Sequence, residues 1–212
     1  MKPKKLIPKP NNYSYENKLR AEGFKLIAGV DEAGRGPLAG PVVASAVIIK
    51  SRDFKNRIDD SKKLSPGQRE KSFGEIIKKS VFGIGIIGPK QIDRFNILIA
   101  TQMAMEQAIA ELVDKLKPLK NKRLHVIVDG LLRLRIDFDY TTIIRGDCLS
   151  KSIAAASIIA KVTRDRIMNK YDAVYPEYGF ARHKGYPTKD HRRAIVKFGP
   201  CLIHRMSFCG VE

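Results

Sequence analysis

The sequence predicts an α/β fold in which a mixed central β-sheet is flanked by helices. Short apolar runs bounded by glycine and proline are typical of buried strands, and later segments carry apolar residues at helical spacing. The strand-like runs come first and helices lie between the later ones, an order that favours a mixed sheet covered by helices. Because no repeat or low-complexity linker interrupts this pattern, we expect one domain over residues 25–212, preceded by a polar N-terminal arm over residues 1–24.

Five apolar runs have the length of single strands. The predicted strands are residues 26–30, 42–49, 81–87, 124–128 and 140–144. The first two flank a segment rich in glycine and proline, residues 34–41, which predicts a region of tight turns between them.

Helical spacing appears in the segments between and after the later strands. The predicted helices are residues 96–117, 150–170 and 188–198, with a short helical stretch at 15–20 in the arm. Asn96 can cap the start of the longest one and Pro118 stops it. Three consecutive alanines, residues 154–156, let the next helix approach a sheet closely. The remaining C-terminal segment, residues 175–212, alternates basic with aromatic residues.

The charge favours a polyanionic partner. Forty lysines and arginines against 22 acidic residues give a net charge of +18, which suits nucleic acid, although a generally basic surface is the simpler alternative. Three cysteines without a CxxC pair argue against a disulfide scaffold or a zinc ribbon and favour the reducing cytoplasm. No apolar run approaches the roughly 20 residues of a membrane span, and the lysine-rich start is not a secretory signal, so no membrane partner is expected.

Four acidic residues lie where predicted strands end. Asp31 and Glu32 follow the first strand, Asp129 follows the fourth, and Asp147 lies just after the fifth. Ligand sites in α/β sheets gather at such ends, and carboxylates crowded there repel one another unless a cation lies between them. Oxygen-rich sites of this kind suit Mg²⁺ or Mn²⁺. Together the four acidic residues predict a metal site. Taken singly, each aspartate is more typical of a turn or a helix cap, and Asp147 is well placed as a cap.

Several ordered motifs make the interpretation specific. They are IAGVDEAGRGPLAGPVVA at 27–44, DSKKLS at 60–65, VDG at 128–130, GD at 146–147 followed by 152–161 and 164–166, HKGYPT at 183–188 with His191, and HRMSF at 204–208. Together they closely resemble ribonuclease HII, the type 2 ribonuclease H family, over about residues 13–208. The related type HIII has Glu at the position of Asp147 and an extra N-terminal domain, so type HII is favoured. Cys148 and Cys209 replace a frequent serine and a frequent proline of the family.

The resemblance implies a ribonuclease H-like fold and an endoribonuclease. The implied activity is cleavage of the RNA strand of RNA–DNA hybrids and incision 5′ of single ribonucleotides in duplex DNA, leaving 3′-hydroxyl and 5′-phosphate ends. It implies two divalent cations, Mn²⁺ or Mg²⁺, held by the catalytic carboxylates Asp31, Glu32, Asp129 and Asp147, the four residues already singled out at strand ends. Two cations could activate water, neutralise charge at phosphorus and assist the leaving oxygen.

Substrate contacts are also implied by the resemblance. The backbone of Gly34, Arg35 and Gly36 is expected to contact the ribose 2′-hydroxyl, and glycines permit such close approach. Tyr186 is expected to stack on the adjoining nucleotide, and Lys62 and Lys184 to contact phosphates. Without the resemblance, a tight turn, a loop tyrosine and solvated lysines are the simpler interpretations.

Other possibilities remain open at this stage. His183, His191 and His204 lack the spacing of a zinc site, so they are predicted to form hydrogen bonds or to face the substrate. A basic nucleic-acid-binding protein without catalysis, or a ribonuclease H-fold resolvase or integrase acting on DNA alone, are the competing functional classes. We expect a monomer, and no partner-binding tail because the chain stops soon after Phe208.

Overall fold

A five-stranded mixed sheet forms the centre of the protein. The computed structural model describes residues 13–117 and 123–211. The strands are β1 (Leu26–Ala33), β2 (Val42–Ile49), β3 (Ser80–Ile87), β4 (Leu124–Asp129) and β5 (Asp139–Ile143), in the spatial order β3-β2-β1-β4-β5. Strands β1, β2 and β3 pair antiparallel, whereas β4 and β5 run parallel to β1. The predicted mixed sheet flanked by helices is confirmed.

Helices cover both faces of this sheet. They are α1 (Ser14–Ala21), α2 (Pro66–Lys79), α3 (Pro89–Lys115), α4 (Gly146–Leu149), α5 (Lys151–Val174), α6 (Phe180–His183) and α7 (Lys189–Phe198). Apolar residues of α3 pack on one face against β1, β2 and β4, while those of α5 pack with residues of β2 on the other. The core is therefore divided by the sheet into two apolar layers. Within the described residues, no helix has both the length and the apolar character to cross a bilayer.

Helix α2 was not predicted, although the sequence carries its start signal. The hydroxyl of Ser65 accepts a hydrogen bond from the Gln68 N–H, and the Gln68 side chain accepts one from the Ser65 N–H. Pro66 occupies the first helical position, where its missing N–H costs nothing.

Helix α3 begins seven residues before the predicted start. Asn96 has a φ of 65° and interrupts the helix, and its Oδ1 accepts hydrogen bonds from the N–H groups of Leu98 and Ile99 at 2.9 and 3.1 Å. Asn96 thus caps the second part of the helix, as predicted. The first part starts at Pro89 and is not predicted, because the cap signal of Asn96 is typical of a helix start.

Part of the predicted arm packs against the domain. The carboxylate of Glu16 in α1 is buried and accepts hydrogen bonds from the Ser150 hydroxyl and the Ser152 N–H at 2.7 and 2.9 Å. Leu19 is buried with Phe24. Residues 1–12 of the arm lie outside the described residues. The contacts of Glu16 link α1 to the start of α5, close to Asp147.

Candidate active site

Parallel pairing brings two of the acidic residues side by side. Val30 of β1 is in register with Val128 of β4, so Asp31 and Asp129 lie one residue further along on adjacent strands. Asp147 comes from α4, which follows β5 at the same edge of the sheet. Each of the three offers an oxygen, and those oxygens all lie within 4.8 Å of one another. Residues separated by 116 positions in the chain therefore form one cluster.

The backbone orients these carboxylates. Asp31 Oδ1 accepts a hydrogen bond from the Glu32 N–H at 2.7 Å, and Asp129 Oδ1 accepts one from the Gly146 N–H at 2.6 Å. The interpretation of Asp147 as the cap of the following helix is wrong. The Ser150 hydroxyl caps α5 by accepting from the Ile153 N–H, which leaves the buried Asp147 carboxylate for the cluster.

The cluster is electrostatically unfavourable in the absence of a cation. Burial, and then the nearby charges of Glu32 and Asp129, raise the pKa of Asp31 well above its usual value. Burial also raises the pKa of Asp129, with Asp147 acting in the same direction. Partial burial lowers the pKa of Lys62, but the surrounding carboxylates, of which Asp31 has the largest effect, outweigh burial and raise that pKa above its usual value. Several negative groups thus share one neighbouring ammonium.

Glu32 lies beside the cluster in a different environment. Its Oε1 is 3.4 Å from Arg35 Nη1, and burial raises its pKa although Arg35 acts in the opposite direction. It is not among the three carboxylates whose oxygens lie within 4.8 Å of one another. β1 runs on to Ala33, so Asp31 and Glu32 lie inside the strand instead of following it, and their side chains start from opposite faces.

Most of the predicted site residues line one cavity. Its volume is about 510 Å³, and its lining includes Asp31, Glu32, Gly34, Arg35, Gly36 and Tyr186. Lys62 lines both this cavity and the adjoining one of about 450 Å³ that holds Asp129 and Asp147. The fold therefore brings the acidic cluster, the glycine loop and the tyrosine together.

Lys184 lies apart from the acidic cluster. Its ammonium donates hydrogen bonds to Asn169 Oδ1 at 2.8 Å and to the Ala181 carbonyl. It lines a third cavity, of about 470 Å³, which meets the first at Lys161 and Tyr186. Partial burial lowers the pKa of Lys184.

His191 and His204 are buried and hydrogen-bonded to each other, and the partly buried ring of His183 stacks on that of His191. The Cys201 N–H donates to His204 Nδ1 at 2.9 Å, so His204 carries its proton on Nε2, which lies 3.0 Å from His191 Nε2. His191 Nδ1 then donates to the Tyr186 carbonyl at 2.9 Å. His183 similarly accepts from Gly185 and donates to the Tyr178 carbonyl. The prediction of hydrogen-bonding histidines is confirmed, and all three are neutral in this arrangement.

Acid should destabilise the protein through His191. Burial, despite the bond to Tyr186, lowers the pKa of His191 to about 4, below the ordinary value of 6.5. Between those values the unfolded chain binds the extra proton, so this contribution is complete above pH 6.5 and is lost as the pH falls towards 4. The loss amounts to roughly 3 kcal/mol. We expect the urea midpoint of the unsubstituted protein to fall over this range.

The matched variant is His191→Gln, which keeps a donor and an acceptor but does not titrate there. Its urea midpoint should depend less on pH than that of the unsubstituted protein over the same interval. Equal pH dependence of the two proteins would show that His191 does not contribute.

Two buried arginines lie within the sequence motifs, but the sequence predicts no role for either. Arg164 and Arg205 are fully buried, and neither forms an ion pair with a carboxylate among residues 13–117 and 123–211. Each donates three hydrogen bonds to backbone carbonyls of the loop after β1 or of Lys184. Burial lowers the pKa of Arg205 to about 9, which leaves it charged at pH 7. Nothing in the local sequence predicts these partners, because they are distant in the chain.

The donor set fits divalent cations. Three carboxylates from three elements lie close enough to share an ion, and burial with mutual repulsion makes a bound cation strongly stabilising. Carboxylate oxygens are the ligands that Mg²⁺ and Mn²⁺ prefer. The chemistry of the site thus agrees with a metal centre.

The sheet order and the acidic cluster at its edge define a metal-dependent hydrolase of the ribonuclease H-like class. The family model described as Ribonuclease HII matches residues 28–211. The chain belongs to the ribonuclease HII family, and it is therefore a ribonuclease H.

Relatives agree in sequence and in fold. A ribonuclease HII of Ruminiclostridium cellulolyticum is 53% identical over 196 residues, which cover 92% of this chain and 74% of that protein. The ribonuclease H2 of Pyrococcus horikoshii OT3 is 31% identical with a TM-score of 0.63, over 88% of this chain and 95% of that one. The ribonuclease HII in a complex with PCNA from Archaeoglobus fulgidus is 27% identical with a TM-score of 0.68, over 86% and 95% of the two chains.

Proposed function

We propose that this enzyme cleaves the RNA strand of RNA–DNA hybrids and incises duplex DNA 5′ of single embedded ribonucleotides, leaving 3′-hydroxyl and 5′-phosphate ends. The observation that carries the proposal is the shared cavity, in which Asp31 and Glu32 lie with the exposed Arg35–Gly36 backbone and Tyr186. Groups for hydrolysis and groups able to contact a sugar are thus within reach of one nucleotide. Membership of the family supports the same substrate class.

The catalytic carboxylates in this proposal are Asp31, Glu32, Asp129 and Asp147. Asp31, Asp129 and Asp147 would hold divalent cations, Mn²⁺ or Mg²⁺, with Glu32 beside them as the fourth ligand. When bound, two such ions supply an activated water, charge neutralisation at phosphorus and assistance to the leaving oxygen. The Gly146 N–H orients Asp129 through its 2.6 Å hydrogen bond. Lys62, whose ammonium is close to these carboxylates, would contact a phosphate.

The remaining substrate contacts would come from the loop and the tyrosine. The backbone of Gly34, Arg35 and Gly36 would contact the 2′-hydroxyl, and Tyr186, 42% exposed, would stack on the adjoining nucleotide. Lys184 would contact a phosphate only after leaving Asn169. The net charge of +18 supports binding to the phosphate backbone.

We further propose that the enzyme is a single domain over residues 25–212 and acts as a monomer in the cytoplasm. Light scattering should return 23.8 kDa for the monomer. A multiple of that value would contradict it.

One comparison tests the proposed substrate. With Mn²⁺ present, the protein should cut a duplex containing one ribonucleotide on its 5′ side and leave the matching all-DNA duplex intact. Cutting of both duplexes would favour a resolvase or integrase acting on DNA. A protein that binds both duplexes in a salt-sensitive way, but cuts neither of these duplexes and no RNA–DNA hybrid, would be a binding protein without catalysis.

Divalent metal should stabilise the folded protein, because a bound cation relieves the repulsion within the cluster. We expect a millimolar excess of Mn²⁺ to raise the Tm, since a ligand at 100 times its Kd contributes about 2.7 kcal/mol. For a chain of this size that corresponds to roughly 5–10 °C.

In Asp129→Asn the rise should be much smaller. Asp114→Asn, which changes an exposed carboxylate of α3 paired with Lys117, should keep the full rise. An equal rise in Asp129→Asn would exclude the cluster as the metal site.

A further inference from the structure

Arg205 binds three carbonyl oxygens of one short loop. Its Nη2 donates to Gly34 at 2.6 Å, its Nη1 donates to Arg35 at 3.0 Å, and its Nε donates to Gly40 at 2.9 Å. The guanidinium is fully buried, and taking a charge out of water is costly unless its donors are satisfied. Here those donors are satisfied by the loop that carries the glycine–arginine–glycine sequence.

This arrangement sets the direction of two N–H groups. A trans peptide is planar, so the N–H of one residue points opposite to the carbonyl of the residue before it. Because the Gly34 and Arg35 carbonyls point at Arg205, the N–H groups of Arg35 and Gly36 point away from it. Arg205 lies in the interior, whereas Arg35 and Gly36 are exposed and line the cavity. Within the described part of the chain, neither N–H donates a backbone hydrogen bond.

We propose that Arg205 is a positioning residue for ribose selectivity. By binding the Gly34 and Arg35 carbonyls, it presents the N–H groups of Arg35 and Gly36 as a fixed pair of donors to the sugar of a ribonucleotide. The inference rests on the proposed function. A ribose offers a 2′ oxygen that deoxyribose lacks, and donors held in place for that oxygen discriminate against the analogue without it.

Both the charge and the shape of Arg205 affect the N–H groups of Arg35 and Gly36. A cation bonded to a carbonyl polarises the whole peptide, which makes the N–H on the opposite side a stronger donor. Lysine keeps the charge but is a compact ammonium without the planar fork, so it cannot bind the three carbonyls in the same geometry.

Arg205→Lys tests the role directly. The parent protein carries Asp129→Asn, so that the substrate is bound but not cut, and the variant carries Arg205→Lys in addition. The measurement is the ratio of affinities for a duplex with one ribonucleotide and for the same all-DNA duplex, at one salt concentration. We expect the substitution to reduce this ratio about tenfold, chiefly by weakening the binding of the ribonucleotide duplex.

Arg164→Lys in the same background is the matched control. Arg164 is equally buried and also binds three carbonyls, those of Ala39, Pro41 and Lys184. Its side chain packs beside Gly34, but it donates to neither the Gly34 nor the Arg35 carbonyl. Arg164→Lys should keep the parent's ratio of affinities for the two duplexes, although its Tm should fall about as much as that of Arg205→Lys. An unchanged ratio in a folded Arg205→Lys protein, or an equal loss in Arg164→Lys, overturns the inference. A parent that binds both duplexes equally would instead overturn the proposed 2′-hydroxyl contact.

A second measurement leaves Arg205 in place, in case its substitution prevents folding. In ¹⁵N-labelled Asp129→Asn protein, the ribonucleotide duplex should shift the amide resonances of Arg35 and Gly36 and slow their hydrogen exchange. The all-DNA duplex should affect both amides much less. Identical responses to the two duplexes would contradict the role of these N–H groups.

Discussion

Asp31→Asn should reduce cleavage of a duplex with one ribonucleotide by about a thousandfold or more, while binding changes by less than about threefold. The substitution preserves shape but removes a negative ligand oxygen from the cluster of Asp31, Asp129 and Asp147. Loss of several kcal/mol of transition-state stabilisation corresponds to that rate. Affinity is retained because it depends mainly on phosphate contacts. Single-turnover cleavage and equilibrium binding, measured with the same duplex, separate the two quantities.

The Tm provides the control for folding in this experiment. Because Asp31→Asn removes a buried charge from a repulsive group, the variant without metal should melt at the same temperature as the unsubstituted protein or higher. Asp114→Asn should cut at the normal rate. Normal cleavage by Asp31→Asn would refute the assignment of the catalytic cluster.

Gly29→Ala should be among the most destabilising single substitutions in the described residues. A Cβ at this position of β1 would overlap the Ser152 carbonyl carbon and the Ile153 nitrogen of α5. Both are backbone atoms, so the helix must move away from the sheet, at a cost of about 3 kcal/mol or more. The Tm should fall by roughly 6–12 °C. Because Asp31 lies two residues further along the same strand, cleavage should fall as well.

Gly74→Ala is the matched control for this substitution. Gly74 lies inside α2, and apart from its chain neighbours and the backbone of its own helix no described heavy atom lies within 4 Å of the position that a Cβ would take. Alanine is the better helix former by up to about 1 kcal/mol, so this variant should be as stable as the unsubstituted protein or more stable. A Tm for Gly29→Ala equal to that of Gly74→Ala would contradict the close contact between β1 and α5.

The sequence predicts the four carboxylates as one group because each lies beside or just after an apolar run long enough to be a strand. The alternative interpretation of Asp147 as a helix cap is wrong, because Ser150, three residues later, caps α5. Helix α2 was not predicted, although Ser65, Pro66 and Gln68 carry the sequence signal of a helix start. These errors are local, and turn and cap signals could have corrected them.

The sequence by itself determined the alternation of strands and helices, the positive charge and the positions of the motifs, because periodicity and composition depend on nearby residues. Only the tertiary structure decided which distant groups meet. The pairing of β1 with β4 joins Asp31 to Asp129, and the C-terminal segment places Arg205 under the loop of Gly34 and Arg35. Such contacts depend on strand register and on packing between distant segments, so no short stretch of sequence predicts them.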